Sequence, residues 1–245
     1  MIISHSKKFI FLHAPKTAGS SVFCSLCRHL EPGDEFIDAI SDAYTLGSLP
    51  TKTYIRSISS SDSFLYFLYQ LLRRQGVGKS LGLTGKRYYK KIGLQSHSGW
   101  RSVKEYVGDD IWNSYYKFSF ERNPYSRLVS LYKWDNNIKN QMTFNQFIFK
   151  INEIAATTRY NKAILTWDGY YAECNNLILD YVGKFEDIDN SMKKIHSDIG
   201  IPYDGWLPHT KKARPEKYQE WYTSETQKIV EKIYTNQLKT FEYKF

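Results

Sequence analysis

The stretch FLHAPKTAGSSV, residues 11–22, constrains the fold most, because an apolar run enters a small-residue turn and then a helix. Residues 9–12 are apolar without a break, as in a buried strand, and helix-compatible spacing resumes at residues 18–30. The first N–H groups of a helix have no partner within the helix, and the helix dipole adds partial positive charge there. Gly19 would let a ligand approach this backbone closely. The sequence therefore predicts a strand-loop-helix corner that binds a phosphate-like anion.

A second corner of the same kind follows later in the chain. Residues 115–121 alternate as a strand, Arg122 and Asn123 end it, and Pro124 suits the first position of the next helix. Strands alternate with helices elsewhere too, which predicts an α/β fold with a parallel sheet flanked by helices. No repeat, long linker or shift in composition marks a second domain, so we expect one domain over residues 1–245.

Charge and cysteine content narrow the class of protein. The chain carries 34 Lys and Arg against 25 Asp and Glu, a net charge of +9, which favours an anionic partner. Cys24, Cys27 and Cys174 form no disulfide framework, so we expect a reducing compartment, and the first two are predicted to pack within a helix. No signal peptide and no apolar run of about 18 residues is present, which predicts a cytoplasmic protein without a transmembrane segment.

The segment GVGKS, residues 76–80, imitates a nucleotide-binding motif. A Walker A loop also needs a glycine five positions before Gly78, where this chain has Arg73, and it follows a strand rather than a helix. We therefore do not assign a phosphate site there. The surrounding glycine-rich and basic segment, residues 75–91, is expected to be mobile.

Both corners resemble those of the sulfotransferases that use 3′-phosphoadenosine 5′-phosphosulfate (PAPS). HAPKTAGSSV, residues 13–22, is similar to the loop that holds the 5′-phosphosulfate in that family. YKFSFERNPYSRLVSLY, residues 116–132, is similar to the element whose strand-end arginine and a later serine, here Arg122 and Ser130, hold the 3′-phosphate. The likeness continues through residues 180–188 and 207–222 and is greatest to the carbohydrate branch, with its bacterial and 2-O-type members.

This resemblance implies a single catalytic domain with the P-loop-kinase-like sulfotransferase fold, in which residues 31–91 form a variable insertion on the acceptor side. It implies a bacterial enzyme that transfers a sulfuryl group from PAPS to a glycan or glycolipid hydroxyl, giving 3′-phosphoadenosine 5′-phosphate (PAP). Neither nucleic acid nor a metal is implied, and no metal-ligand spacing occurs in the sequence.

The resemblance also assigns roles to residues. Besides Arg122 and Ser130, the residues implied to bind PAPS are Pro15, Lys16, Thr17, Ala18, Gly19, Ser20 and Ser21 in the first loop, and Lys211, Lys212 and Arg214 in a basic cofactor cap. Lys16 would neutralise the leaving oxygen, while Thr17, Gly19 and the two serines would donate N–H and hydroxyl hydrogen bonds. Arg122 offers a planar fork for the 3′-phosphate.

The acceptor hydroxyl must lose its proton, which calls for a general base. His97 matches the position at which bacterial and 2-O-type members place a histidine. His13, directly before the first loop, and Glu121, beside the arginine, remain alternatives. Three tryptophans could stack adenine or sugar, although we expect each to pack in the protein interior: Trp100, Trp167 and Trp206.

Two other functions remain open at this point. An ATP-dependent kinase of P-loop type would share the fold and would need Mg²⁺. A nucleic-acid-binding module would suit the positive charge and the 20 tyrosines. The acceptor itself is not readable from the sequence, because residues 34–91 are the part least similar to the family.

Overall fold

The secondary structure alternates short strands with helices along most of the chain. A computed structural model describes residues 1–37, 40–157, 164–208 and 217–245. Its strands are β1 (Ile2–Ser4), β2 (Phe9–Phe11), β3 (Glu35–Phe36), β4 (Tyr116–Glu121), β5 (Ala172–Glu173), β6 (Asn176–Leu177) and β7 (Tyr181–Lys184). Its helices are α1 (Gly19–Cys27), α2 (Ile40–Thr45), α3 (Lys52–Ile58), α4 (Ser61–Leu72), α5 (Val77–Lys91), α6 (Trp100–Val107), α7 (Asp109–Ser114), α8 (Pro124–Trp134), α9 (Asn136–Gln141), α10 (Phe144–Thr157), α11 (Ile188–Asp198), α12 (Ser224–Ile233) and α13 (Thr235–Thr240).

Five strands form the central sheet in the order β3-β1-β2-β4-β7. Strands β2, β4 and β7 run parallel, with Phe11 opposite Phe118 and Phe120 opposite Gly183. Strand β1 is antiparallel to both β2 and β3. Its pairing with β2 follows from the short connection, residues 5–8, which returns the chain antiparallel. The prediction of an α/β fold with a mostly parallel sheet and flanking helices is confirmed.

The interior explains why these segments form the sheet. Phe9, Ile10 and Phe11 are all buried, so β2 is covered on both faces as a central parallel strand requires. A second apolar cluster joins α8 to α10 and α12 through residues such as Leu128 and Ile148. This cluster fixes the direction of α8, the helix that follows the second corner.

Segment 75–91 differs from its prediction, since most of it is helix α5 rather than a mobile loop. Its glycines Gly78, Gly82 and Gly85 recur at helical spacing and let neighbouring helices approach closely. A Cβ added at Gly85 would lie 2.6 Å from Cζ of Tyr54. The glycines are therefore sites of close packing within a helix.

Two further sequence predictions concern the cysteines and membrane-spanning segments. Cys24 is buried and Cys27 is partly buried in α1, which agrees with packing within a helix. Within the described ranges, no helix is both long and apolar enough to cross a membrane.

Candidate active site

The two predicted corners lie side by side at one edge of the sheet. The pairing of β2 with β4 continues beyond β2, since Leu12 N donates to Phe118 O at 2.9 Å. Ser119 Oγ donates to Leu12 O at 2.7 Å. Because the strands are parallel and about 4.8 Å apart, both corners emerge at the same carboxyl edge. The structure thus brings the first loop and Arg122 together.

The first loop has an unusual backbone. Lys16 and Ala18 have positive φ angles of 67° and 63°, which residues other than glycine rarely adopt. Such conformations concentrate at functional sites. Ala18 is the N-cap of α1 and supplies no capping side chain, and the first turn of α1 contains no acidic residue. The positive end of this helix dipole is therefore not neutralised by its own first turn.

Within the loop, the hydroxyl of Thr17 serves the fold. Thr17 is buried, and its Oγ1 donates to Ala14 O at 2.9 Å. In the structure this hydroxyl is therefore hydrogen-bonded within the loop itself. Ser20 and Ser21 are partly exposed at the start of α1.

His13 supports the loop from beneath. Its ring is buried and lies so close to Gly19 that an added Cβ would come 2.7 Å from Cγ and nearer still to Cδ2 and Nε2. Gly19 is therefore required by the close approach of the His13 imidazole ring. His13 occupies a packing position below the loop.

His97 is exposed and is oriented by His13. Its Nδ1 lies 2.8 Å from the backbone oxygen of His13, and the two rings meet edge to face at 4.4 Å between centroids. A carbonyl oxygen can only accept, so Nδ1 carries the proton and Nε2 carries the lone pair. The hydroxyl of Tyr170 also donates to His97 O at 2.8 Å. A proton on Nδ1 of His97 and none on Nε2 is the tautomer that a base acting through Nε2 requires.

Lys16 extends from the first loop towards the second corner's helix. Its Nζ lies 5.3 Å from the ring centroid of Trp134, the last residue of α8. Sequence reasoning did not identify Trp134, which is far from Lys16 along the chain.

Arg122 is held in place by two neighbours that the sequence analysis missed. Its Nε and Nη2 donate to Ser126 Oγ at 3.0 and 2.6 Å, and its Cζ lies 4.3 Å from the ring centroid of Phe185. Burial lowers the pKa of this guanidinium, while the charge of Glu186 opposes that shift. Ser130 follows Ser126 by one turn of α8, so both serines lie on the same side of that helix. The contact between Arg122 and Ser126 could have been inferred in the sequence from their four-residue spacing.

Glu121 forms a buried ion pair instead of facing the edge of the sheet. Its Oε1 is 3.6 Å from Nε of Arg127, and both side chains are fully buried. The same Oε1 accepts from Arg122 N at 2.8 Å. Burial raises the pKa of Glu121 to about 7, although Arg127 acts to lower it. This pair supports the backbone of Arg122, and the burial separates Glu121 from any acceptor.

Three sets of residues remain: the predicted tryptophans, the expected cap residues and possible metal ligands. Trp100 and Trp167 are buried in the core as expected, and Trp206 is partly buried under the guanidinium of Arg28. The expected cap residues lie outside the described residues: Lys211, Lys212 and Arg214. In the ranges that the structure describes, no group of three or more His, Cys, Asp and Glu side chains could hold a metal ion.

A cavity of about 230 Å³ is lined in part by the residues just before His97, although His97 itself does not line it. Gln95 and Ser96, directly before that histidine, form one wall. The other walls come from residues 37–89: Ile37, Ile40, Ser41, Tyr54, Lys79, Gly82, Leu83, Gly85, Lys86 and Tyr89. The cavity is therefore apolar and aromatic, with two lysines contributed by α5.

Comparison with known proteins agrees with this geometry. A family model described as the sulfotransferase family matches residues 1–244. An uncharacterized protein of Archaeoglobus fulgidus is 27% identical over 104 residues, which cover 41% of this chain and 80% of that protein. No solved structure matches the chain significantly. Since the family match spans nearly the whole chain, the protein belongs to the sulfotransferase family and is an enzyme, a sulfotransferase.

Proposed function

We propose that the protein transfers a sulfuryl group from PAPS to a hydroxyl of a carbohydrate, releasing PAP. The observation that carries this proposal is the pair of corners at the carboxyl ends of β2 and β4. PAPS bears anionic groups on both sides of its ribose, so a protein that binds it needs two separate anion sites. The corners would supply one each, because they follow neighbouring parallel strands of one sheet.

The 5′-phosphosulfate would bind at residues 15–21, against the N-terminus of α1. The contact between Lys16 and Trp134 is exposed and is worth about 0.5–1 kcal/mol. A hydrogen bond from an ammonium to an anion contributes about 1.5–3 kcal/mol. A bound phosphosulfate would therefore draw Lys16 away from Trp134, and the ammonium would neutralise the bridging oxygen as the S–O bond breaks.

The 3′-phosphate would bind at the second corner. Arg122 presents a planar guanidinium, which suits a phosphate better than a lysine ammonium does. Ser126 and Phe185 hold this guanidinium, and Ser130 is one helical turn further along. Lys211, Lys212 and Arg214 would close over the nucleotide, a role that rests on the family resemblance.

Transfer would proceed by in-line attack. The acceptor oxygen forms a bond to sulfur, the bond from sulfur to the bridging oxygen breaks, and PAP leaves with that electron pair. Nε2 of His97 takes the hydroxyl proton, a contribution of about 10²–10⁴ in rate. The hydrogen bond to His13 O supports this assignment because it fixes the basic nitrogen on the side away from the backbone.

The cavity that Gln95 and Ser96 help to line would admit the acceptor. Lys79 and Lys86 in its lining suit an acceptor that already carries an anionic group. Residues 31–91 contribute most of its lining, so this segment would determine the acceptor.

The proposal is tested by incubating the protein with PAPS and a panel of neutral and anionic glycans, with mass detection of the product. We expect a product heavier by one sulfuryl group, and PAP should raise the Tm in a thermal-shift assay. Lys16→Ala and His97→Ala should each lower turnover by at least about 100-fold, and His97→Ala should leave the Kd for PAP nearly unchanged. Mg²⁺-dependent ATP turnover without PAP binding, or tight salt-sensitive binding of unrelated oligonucleotides, would contradict the proposal.

A further inference from the structure

Helix α4 presents its apolar side chains to the outside. Leu65 is 64% exposed and Leu72 is 83% exposed. They belong to a group of large exposed side chains at helical spacing on one face, here called the apolar stripe: Phe64, Leu65, Leu68, Tyr69 and Leu72. The inward side carries Ser63 and Gln70, which are 2% and 6% exposed, together with Phe67, which packs against the core. A helix on the surface of a soluble protein normally has polar rather than apolar residues on its outward side.

The same part of the chain is strongly basic. Residues 63–91, which run through most of α4 and all of α5, contain seven Lys and Arg and no Asp or Glu. All seven side chains are exposed: Arg73, Arg74, Lys79, Lys86, Arg87, Lys90 and Lys91. Helices α4 and α5 pack against each other, so the basic residues of α5 belong to the same part of the surface as α4.

Two of these cations lie on aromatic rings of α4. The guanidinium of Arg87 is 4.6 Å from the ring centroid of Tyr66, and that of Arg73 is 5.8 Å from that of Tyr69. Lys91 pairs with Asp62 at 3.4 Å, an exposed contact that contributes little. The basic and apolar groups are therefore adjacent rather than on opposite sides.

We propose that α4 docks this face onto the surface of an anionic lipid bilayer. The apolar stripe would enter the boundary between headgroups and acyl chains, and the surrounding cations would contact anionic headgroups. The positive charge of residues 63–91 favours a bilayer over a second copy of the chain as the partner of this face. A second copy packed on this face would bring two segments of seven cations together, whereas an anionic bilayer neutralises them.

The apolar stripe is separate from the proposed acceptor cavity, although Lys79 and Lys86 of α5 line that cavity. No residue of α4 is among the residues that line the cavity, whereas α5 contributes to both the cavity and the basic face. Docking through α4 would therefore hold the cavity near the membrane, where a lipid-linked glycan would be presented. Substitutions in the apolar stripe can remove docking without touching the site.

The test is sedimentation of the purified protein with vesicles of phosphatidylcholine alone or with half phosphatidylglycerol. Wild-type protein should bind the anionic vesicles at least about tenfold more strongly, and raising the salt concentration should weaken binding. A double variant, Leu65→Gln with Leu72→Gln, should bind at least about tenfold more weakly. Leu177→Gln, at a leucine that is exposed on β6, is the matched control and should bind like the wild type.

Charge variants provide a second arm. Arg74→Gln and Lys90→Gln, at residues outside the cavity lining, should each weaken binding to anionic vesicles about fivefold. The thermal shift with PAP should be unchanged in the leucine and charge variants, which shows that they fold. The proposal is overturned if the wild-type protein does not bind anionic vesicles, or if the double variant binds them as strongly as the wild type. It is also overturned if neither protein binds vesicles and the wild type is a dimer that the double substitution converts to a monomer.

Discussion

Gly19→Ala tests whether the first loop and His97 form one rigid unit. The new methyl group would lie 2.7 Å from Cγ of His13 and nearer still to two other ring atoms, whereas carbon atoms pack at about 3.5–4.0 Å. The ring of His13 must therefore move by about 1 Å or more. The centroids of the His13 and His97 rings are 4.4 Å apart, and His97 Nδ1 is also hydrogen-bonded to His13 O, so we expect His97 to move as well.

A displacement of about 1 Å at a catalytic group can lower the rate about 100-fold. The effect on stability is smaller, because overpacking costs about 1–3 kcal/mol and the alanine returns at most about 1 kcal/mol in helix propensity. We therefore expect kcat to fall about 100-fold while Tm falls by no more than about 12 °C.

The assay is PAPS turnover with the acceptor found by mass detection, combined with thermal unfolding. Gly33→Ala is the matched control, since an added Cβ there meets no atom within 4 Å, and it should leave kcat unchanged. A Gly19→Ala enzyme with kcat within twofold of the wild type would refute the coupling between the loop and His97.

Three further predictions follow from individual contacts. His97→Asn keeps a donor for the backbone oxygen but has no basic nitrogen, so kcat should fall about 10²–10⁴-fold; a larger change in the Kd for PAP than in kcat would count against the role. Burial raises the pKa of Glu121 from 4.5 to about 7, so the unfolded chain releases this proton first and the wild type should lose stability relative to Glu121→Gln as the pH rises from 4.5 to 7. If the denaturation midpoints of the wild type and of Glu121→Gln change by the same amount over this pH range, the raised pKa of Glu121 is contradicted. Gly85→Ala should lower stability by about 1–3 kcal/mol because it displaces Tyr54, whereas Gly82→Ala, with a nearest contact of 3.4 Å, should not.

The corners were predictable because local signals specify them. An unbroken apolar run, a small-residue turn and a proline at the first position of a helix each act within a few residues, and both corners occur where expected. The position of His97 could be predicted through the family resemblance. Its orientation could not, because the partner is the backbone oxygen of His13, 84 residues earlier in the chain.

Other features depended on contacts that no local pattern contains. The glycines of α5 indicated a loop, yet each lies where another helix approaches, a tertiary effect that overrides propensity. Phe185 supports Arg122 from another part of the chain. The exposed apolar face of α4 was equally hidden, since its apolar spacing is that of an ordinary amphipathic helix and only the structure shows which side faces outward.

The central claim is that the two corners bind opposite phosphates of one adenine nucleotide. The most direct measurement is calorimetric titration of PAP and of adenosine 5′-phosphate, which lacks the 3′-phosphate, into the wild type, Lys16→Ala and Arg122→Ala. Lys16→Ala should weaken both ligands by the same factor, whereas Arg122→Ala should weaken PAP by about 10- to 100-fold and leave adenosine 5′-phosphate unchanged. Equal weakening of both ligands by Arg122→Ala, or no effect on PAP, would contradict the account.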